Sequence, residues 1–222
     1  MAGKKTQKKA KPRSENKSNT SGIDITQSSI RRLGRRANVY RIKSDVYDFA
    51  RQTLLTSLVH VLERAQLITR YHGRSTISAN DVYDTLATMN IHLVAGINRN
   101  SKSTFKTCSS TRKRKVGKMR RSKTGTETKR DIAYQQKHSD SFAIPRTNFA
   151  RIAREIVRDK ANKDDVNMRF GGNCIDLAQL TIETMLIHLF NAANNIATAS
   201  GRKTVEKRDV ELASQLISSP LL

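Results

Sequence analysis

One ten-residue frame occurs twice in this chain, and a duplicated frame restricts the fold more than any other feature of the sequence. The first copy runs Gly73-Arg74-Ser75-Thr76-Ile77-Ser78-Ala79-Asn80-Asp81-Val82. The second runs Gly201-Arg202-Lys203-Thr204-Val205-Glu206-Lys207-Arg208-Asp209-Val210. Gly, Arg, Thr, a β-branched aliphatic, Asp and Val recur at six positions with an offset of 128 residues. A second landmark keeps the same offset: Arg41-Ile42 and Arg169-Phe170, each arginine 33 residues before Arg74 or Arg202. One folded unit is written twice. The 222 residues divide into two units of roughly 70 to 80 residues, a size at which a single core is marginal. Each unit is therefore expected to bury its apolar faces against the other.

The apolar residues between these landmarks recur at helical spacing. In the first unit Ile30, Leu33 and Ala37 predict a short helix over 26–37, with Arg31, Arg32, Arg35 and Arg36 around it. Asn38 to Lys43 reads as a loop. Ser44-Asp45 reads as a helix start, a capping hydroxyl followed by an acid at the positive end of the dipole. Val46, Phe49, Ala50, Leu54, Leu58, Val61, Leu62, Ala65 and Ile68 then carry a long helix to about Tyr71, and Gly73 ends it. Ser78 with Asp81 has the spacing of a capping box, and a short third helix reaches Met89.

The second unit repeats the plan. Residues 129–139 predict an extra helix through Ile132, Ala133 and Tyr134. Phe149, Ile152, Ala153, Ile156 and Val157 predict a short helix. The loop 160–167 is rich in Asn and Asp, and Gly171-Gly172-Asn173 is expected to break the chain and cap the next helix. Ile175, Ala178, Ile182, Met185, Leu189, Ala193, Ile196 and Ala197 predict that long helix, stopped by Gly201. Val210, Leu212, Ala213 and Leu216 predict the last short one. No run of four to eight alternating residues reads as a strand. The expected fold class is all-α.

Charge narrows the partners. Forty-two Lys and Arg against 19 Asp and Glu give a formal net charge of +23, which self-repels and favours a polyanion. Nucleic acid is the first candidate and an anionic membrane surface the second. Two basic low-complexity segments stand out: 1–21, with Lys4, Lys5, Lys8, Lys9, Lys11, Arg13 and Lys17, and 98–126, with Arg112-Lys113-Arg114-Lys115 and Arg120-Arg121. Both are expected to be disordered, one as an N-terminal tail and the other as a linker or internal tail.

Other chemistry finds little footing. Cys108 and Cys174 form no CxxC pair, which argues against a disulfide framework and for a reducing compartment. No apolar run approaches a membrane span, and the lysine-rich start is not a secretory signal. The histidines His60, His72, His92, His138 and His188 lack metal-ligand spacing. Gly171-Gly172 lacks the strand–turn–helix context of a nucleotide loop. Trp is absent, which argues against a stacking platform for single strands. No nucleophile–base pair is present. Neither enzyme activity, a metal nor a cofactor is expected.

Short–long–short units crossing head to tail bury both long helices. The crossing sets the loop before one long helix beside the loop after the other, bringing Arg41 near Arg202 and Arg169 near Arg74. Each loop pair offers backbone N–H groups, a hydroxyl (Thr76 or Thr204) and arginines. Such a surface holds phosphates and does not read bases.

The order of helices and the Arg-x-Thr…Asp loop resemble the histone fold. Residues 22–97 resemble the type-four core histone through Gly22-Ile23, Ser29-Ile30-Arg31-Arg32-Leu33-Gly34-Arg35-Arg36, Val39-Tyr40-Arg41-Ile42 and Asp81-Val82. Residues 127–222 resemble the type-three core histone, with Gly125-Thr126 just before them, through Arg130-Asp131-Ile132, Tyr134-Gln135, Phe149, Arg151, Arg154-Glu155-Ile156, Arg169-Phe170, Leu189-Phe190, Asn194 and Arg202 to Asp209. Fused doublets in this order occur in certain large double-stranded DNA viruses, and the chain is similar to them. The resemblance implies two histone folds in one chain, forming an intramolecular pseudo-heterodimer.

It also implies roles. Arg41 and Arg169 would enter the minor groove. Arg31, Arg32, Arg35, Arg151 and Arg154 lie on first helices that face phosphates. Arg74, Thr76, Arg202 and Thr204 belong to second loops, where Asp81 and Asp209 would clamp the arginines. The segment with Phe190, Asn194, Ile196, Ala199, Arg202, Asp209 and Leu212 matches a self-association bundle. Ile196 and Ala199 replace the family's Cys and His there, so that bundle has no metal ligands. The implied partners are double-stranded DNA, a second copy of the chain through its type-three-like half, and a protein carrying type-two histone folds. The implied location is the virion and the host's viral factory or nucleus for a viral chain, or the nucleus and chromosome for a cellular one. The expected function is wrapping and compaction of duplex DNA in a nucleosome-like particle, with little sequence preference. A histone-fold transcription-factor subunit with sequence preference is the alternative.

Overall fold

The computed structural model describes residues 25–89, 123, 125–139, 141–160 and 168–218. The expected tail 1–21, nearly all of the basic segment 98–126, and the loop 160–167 beyond Lys160 lie outside the described residues. Among the described residues are seven helices and four two-residue strands.

The first unit comprises α1 (Gln27–Arg36), β1 (Arg41–Ile42), α2 (Ser44–Tyr71), β2 (Thr76–Ile77) and α3 (Ala79–Thr88). The Thr26 hydroxyl caps α1, accepting from the Ser29 N–H at 3.4 Å. Gly73 leaves α2 with φ +64, a left-handed conformation that suits glycine at a helix end. Ser78 and Asp81 form the expected reciprocal capping box at the start of α3.

The long helix does start at Ser44, as expected, but the capping role of the Ser44 hydroxyl needs correction. Lys43 is the N-cap of α2 and makes no side-chain capping bond. Ser44 is the first helical residue, and its hydroxyl donates to Asp45 Oδ1 at 3.1 Å. The cause lies in the other unit: the Lys43 N–H is held by the Val205 carbonyl at 3.2 Å, which keeps the chain extended through Lys43.

The second unit comprises α4 (Thr126–Lys137), α5 (Arg146–Asp159), β3 (Arg169–Phe170), α6 (Cys174–Ala199), β4 (Thr204–Val205) and α7 (Lys207–Ser218). The extra helix begins at Thr126, earlier than its apolar residues predict, behind Gly125 in the left-handed conformation at φ +86. A β-carbon on Gly125 would stand 1.8 Å from the Tyr40 hydroxyl oxygen, so a bare glycine lets α4 start directly against the first unit. Gly171-Gly172-Asn173 does break the chain. Asn173 is the N-cap of α6 without a side-chain capping bond.

The two units share one core. Helices α2 and α6 cross, and the four short helices of the repeat each pack on the opposite unit's long helix: α1 and α3 on α6, α5 and α7 on α2. The extra helix α4 packs on α1. One apolar cluster therefore runs through both units, including Ile30, Leu54, Leu58 and Leu62 from the first and Phe149, Leu177, Ile182 and Phe190 from the second. The pseudo-heterodimer is the folded entity.

Polar ties across the junction lie inside this core. Gln66 Nε2 donates to the Val157 carbonyl at 3.2 Å, joining α2 to α5. Glu183 on α6 is 2 % exposed. Its carboxylate accepts the N–H groups of Ala143 (2.9 and 3.1 Å) and Ile144 (3.0 Å), and an amide hydrogen of Gln179 at 2.9 Å. Arg36 of α1 reaches the same carboxylate at 3.4 Å and also donates to the Ser141 carbonyl. Burial raises the Glu183 carboxyl's pKa against the pull of these donors. This one carboxylate orients the segment leading into α5 and ties α1 to α6.

Candidate nucleic-acid interface

Two parallel ladders join the units, one at each end. In the first, β1 pairs with β4, setting Arg41 opposite Thr204 and Ile42 opposite Val205. In the second, β2 pairs with β3, setting Thr76 opposite Arg169 and Ile77 opposite Phe170. The Arg169 N–H donates to the Ser75 carbonyl at 2.9 Å and the Gly171 N–H to the Ile77 carbonyl at 2.8 Å. The head-to-tail pairing expected from the sequence is therefore present, and backbone hydrogen bonds supply its register.

Each repeated frame closes on its aspartate. Arg74 donates to Asp81 Oδ1 at 2.6 Å and to the Ser78 hydroxyl at 3.3 Å. Asp81 is wholly buried, and its Oδ2 accepts from the Ser78 N–H (2.7 Å), the Ser78 hydroxyl (2.9 Å) and the Thr69 hydroxyl (3.1 Å). Burial alone would raise this carboxyl, but the Ser78 and Arg74 donors outweigh it and hold the group below the usual range. In the second frame Arg202 grips Asp209 with two nitrogens, at 2.9 and 2.7 Å, and the Glu206 N–H donates to Asp209 at 2.9 Å. The Arg202 hydrogen bond is the main reason that Asp209 is held low and Arg202 high.

Around each clamp the aliphatic strand residue (Ile77 or Val205) turns into the core, and polar side chains of the paired loops reach solvent. Arg41, Arg169, Arg74 and Thr76 are exposed, and Thr204 is half-buried. Arg41 lies over the face of Tyr40, 6.0 Å from the ring centroid. Exposed arginines, a hydroxyl and a rigid backbone thus stand together at both ends of the molecule.

The first-helix arginines divide. Arg151 and Arg154 on α5 are exposed, and so is Arg31 on α1, which donates to the Tyr47 hydroxyl at 3.3 Å. Arg32 donates to the Ala143 carbonyl at 2.9 Å, and Arg35 to the Val39 and Tyr40 carbonyls at 2.7 and 2.5 Å. These two build the fold with part of their donor set. Desolvation lowers the Arg35 pKa.

Of the residues expected in a self-association bundle, Phe190 and Asp209 are buried within the chain itself, and Ile196 packs against the core. Ala199 and Leu212 are exposed. Leu216 and Ile217 beside Leu212 are also exposed, at 62 % and 57 %.

Lys43 and Lys203 in the loops and Lys207 at the start of α7 are exposed and carry no motif of their own. Aligning the two frames position by position is the signal that finds them. Among the described residues no cluster of His, Cys, Asp and Glu could hold a metal ion, and no helix is long and apolar enough to cross a membrane.

Residues 124–216 match the family model of the core histone H2A/H2B/H3/H4 domain. The crystal structure of the histone from Methanopyrus kandleri aligns with this chain at a TM-score of 0.53 and 17% sequence identity, covering 86% of this chain and 93% of that one. The family match falls on the second unit, and the structural match extends over both. The architecture of paired short–long–short units is the histone fold.

Proposed function

We propose that this chain is a DNA-binding histone doublet that bends and compacts duplex DNA. The observation that carries the reading is the pair of ladders: each sets a first-loop arginine (Arg41 or Arg169) in register with a second-loop threonine (Thr204 or Thr76). Arg74, Arg202 and the exposed Arg31, Arg151 and Arg154 extend the phosphate-binding surface, and Arg32 and Arg35 shape it from α1. Such contacts grip the backbone and groove of a bent duplex with little dependence on sequence.

The reading includes two units, 22–97 and 127–222, with the basic segments 1–21 and 98–126 adding charge against the DNA. Assembly goes further by family likeness. A second copy docks through Ala199, Leu212 and the apolar residues beside them on α7, and a protein with type-two histone folds completes a nucleosome-like particle. The corresponding location is chromatin or, for a viral chain, the virion and viral factory. The protein acts by binding and not as an enzyme.

Salt dependence tests the reading. If about ten phosphates are neutralised, log K falls with log salt at a slope near −9. An affinity nearly independent of salt would sink it. Competition with unrelated duplex separates it from a sequence-selective transcription-factor subunit, and nuclease digestion with candidate partner histones measures any ordered protected length.

A further inference from the structure

The two ends of the molecule share a backbone plan but not a charge. Position by position, Lys203 stands where the first frame has Ser75, Lys207 where it has Ala79, and Arg208 where it has Asn80. The strands differ in the same sense: Lys43 follows Arg41-Ile42, whereas Gly171 follows Arg169-Phe170. The ladder β1–β4 brings these substitutions to one end, because Lys43 donates its N–H to Val205 and Lys203 adjoins Thr204. All four cations are exposed.

Acids offset only part of this. Glu206 replaces Ser78 and lies 3.0 Å from Arg208, and Glu211 replaces Tyr83 and lies 3.3 Å from Lys207. Asp45, aligned with Asn173, adds one acid to this end and Asp84, aligned with Leu212, adds one to the other, so these two cancel; four added cations against Glu206 and Glu211 then leave a surplus of two positive charges. Each frame commits one arginine to one aspartate, and Arg202 also lies 3.7 Å from Glu206, an acid already counted above.

We infer that the two ends hold duplex DNA unequally, the Arg41–Thr204 end as the tight anchor and the Arg169–Thr76 end as the one that lets go first. This rests on the DNA-binding reading above. Two further neutralised phosphates, at a slope of about −0.9 each, make the anchor end on the order of tenfold tighter at 0.2 M salt. The advantage shrinks toward 1 M, so it is largest under ordinary ionic conditions. A duplex following the protein would open from the side of the first frame and stay held at the second.

Register-matched cross-linking tests this. A photoreactive p-benzoylphenylalanine is placed at Thr76 in one full-length protein and at Thr204 in another, and cross-linking to a duplex is followed as salt rises. The Thr76 cross-link is expected to disappear at lower salt than the Thr204 cross-link. Adding Ser75→Lys and Asn80→Arg should close the gap, and Lys43→Ser with Lys203→Ser should close it from the other side. Loss of both cross-links together in the unmodified background, or loss at Thr204 first, overturns the inference. Failure of either protein to bind duplex at any salt overturns the DNA-binding reading instead.

Discussion

The guanidinium of Arg202 holds both carboxylate oxygens of Asp209, at 2.9 and 2.7 Å, across seven residues that include β4 and the start of α7. Arg74 and Asp81 repeat the relationship in the other unit at 2.6 Å. In each case a loop residue that could wander in solvent is fastened to a buried acid, so the strand that comes just after it can pair. The clamp connects a sequence motif to the geometry of the interface.

Asp81→Ala should therefore do more than remove a charge. It leaves the Ser78 N–H and hydroxyl without their carboxylate acceptor, leaves the Thr69 hydroxyl to the Ala65 carbonyl alone, and frees Arg74 from its acid. A loss of about 1–3 kcal/mol in urea unfolding is expected. Exchange protection at Arg169 and Gly171, whose N–H groups complete the second ladder, should fall. A change in global stability with that ladder's protection intact would contradict the coupling.

The two clamps set an acid limit. Asp81 and Asp209 have folded-state values below their unfolded value of about 3.9. Their contribution to stability is present above that value and is lost as pH falls toward the folded values. Glu183 has the opposite sign. Its folded value is raised, so its contribution is full below the unfolded value of about 4.3 and is lost as pH rises through the folded value. Thermal melts of the parent and of Glu183→Gln should differ in this upper window. Only the parent should gain stability as pH drops toward about 4.3, and parallel curves there would refute the assignment.

Glu183→Ala should be among the costliest single changes. It removes the counter-charge of the buried Arg36 guanidinium, which keeps its carbonyl acceptors at His138 and Ser141, and takes the carboxylate from the Ala143 and Ile144 N–H groups; breaking a buried pair on one side costs about 3–5 kcal/mol. Replacing Arg36 and Glu183 together should cost less than the sum of the single changes, measured as a double-mutant cycle. Strict additivity would mean that the two do not act on each other.

Arg169→Ala should weaken duplex contact at the end shared with Arg74 and leave the end shared with Arg41 unchanged. Hydroxyl-radical footprints of the variant and the parent would show this as exposure confined to one side of the protected tract. Equal exposure on both sides would contradict the pairing of loops as a DNA-contact unit.

The helices are readable in the sequence because their apolar period persists for three to seven turns, as along Val46, Ala50, Leu54, Leu58, Val61 and Ala65. The strands are not, because two residues cannot display an alternation, and their partners lie across the unit boundary. Lys43 shows the same limit: the local sequence gives the helix start at Ser44 but suggests a capping hydroxyl there, whereas the cap is Lys43, whose N–H is bonded to a carbonyl of the other unit. Glu183 and Gln179 escape notice for a related reason. On a helix read alone, polar residues at i and i+4 mark the solvent side; here they face Arg36 and the carbonyl of Ile144, which Gln179 reaches at 2.8 Å. The repeated frame is legible at the site because its closing interaction is local. Its meeting with Arg41 or Arg169 depends on the head-to-tail crossing, and the crossing is what the ladders supply.

The two long helices also serve as a gauge. Arg41 and Arg74 flank α2, and Arg169 and Arg202 flank α6, at the same separation of 33 residues. At 1.5 Å per residue each helix spans about 40 Å, which sets how far apart the two arginine-bearing corners can stand. Inserting one residue into either helix would turn everything beyond it by about 100°. A ladder at one end could then close only by tearing the other open. The tolerance on that length is close to zero, whereas residues 161–167 fall in the sequence before Arg169 and so outside the span. Length variation among chains of this architecture is expected to collect outside the two arginine-to-arginine spans and to spare both long helices.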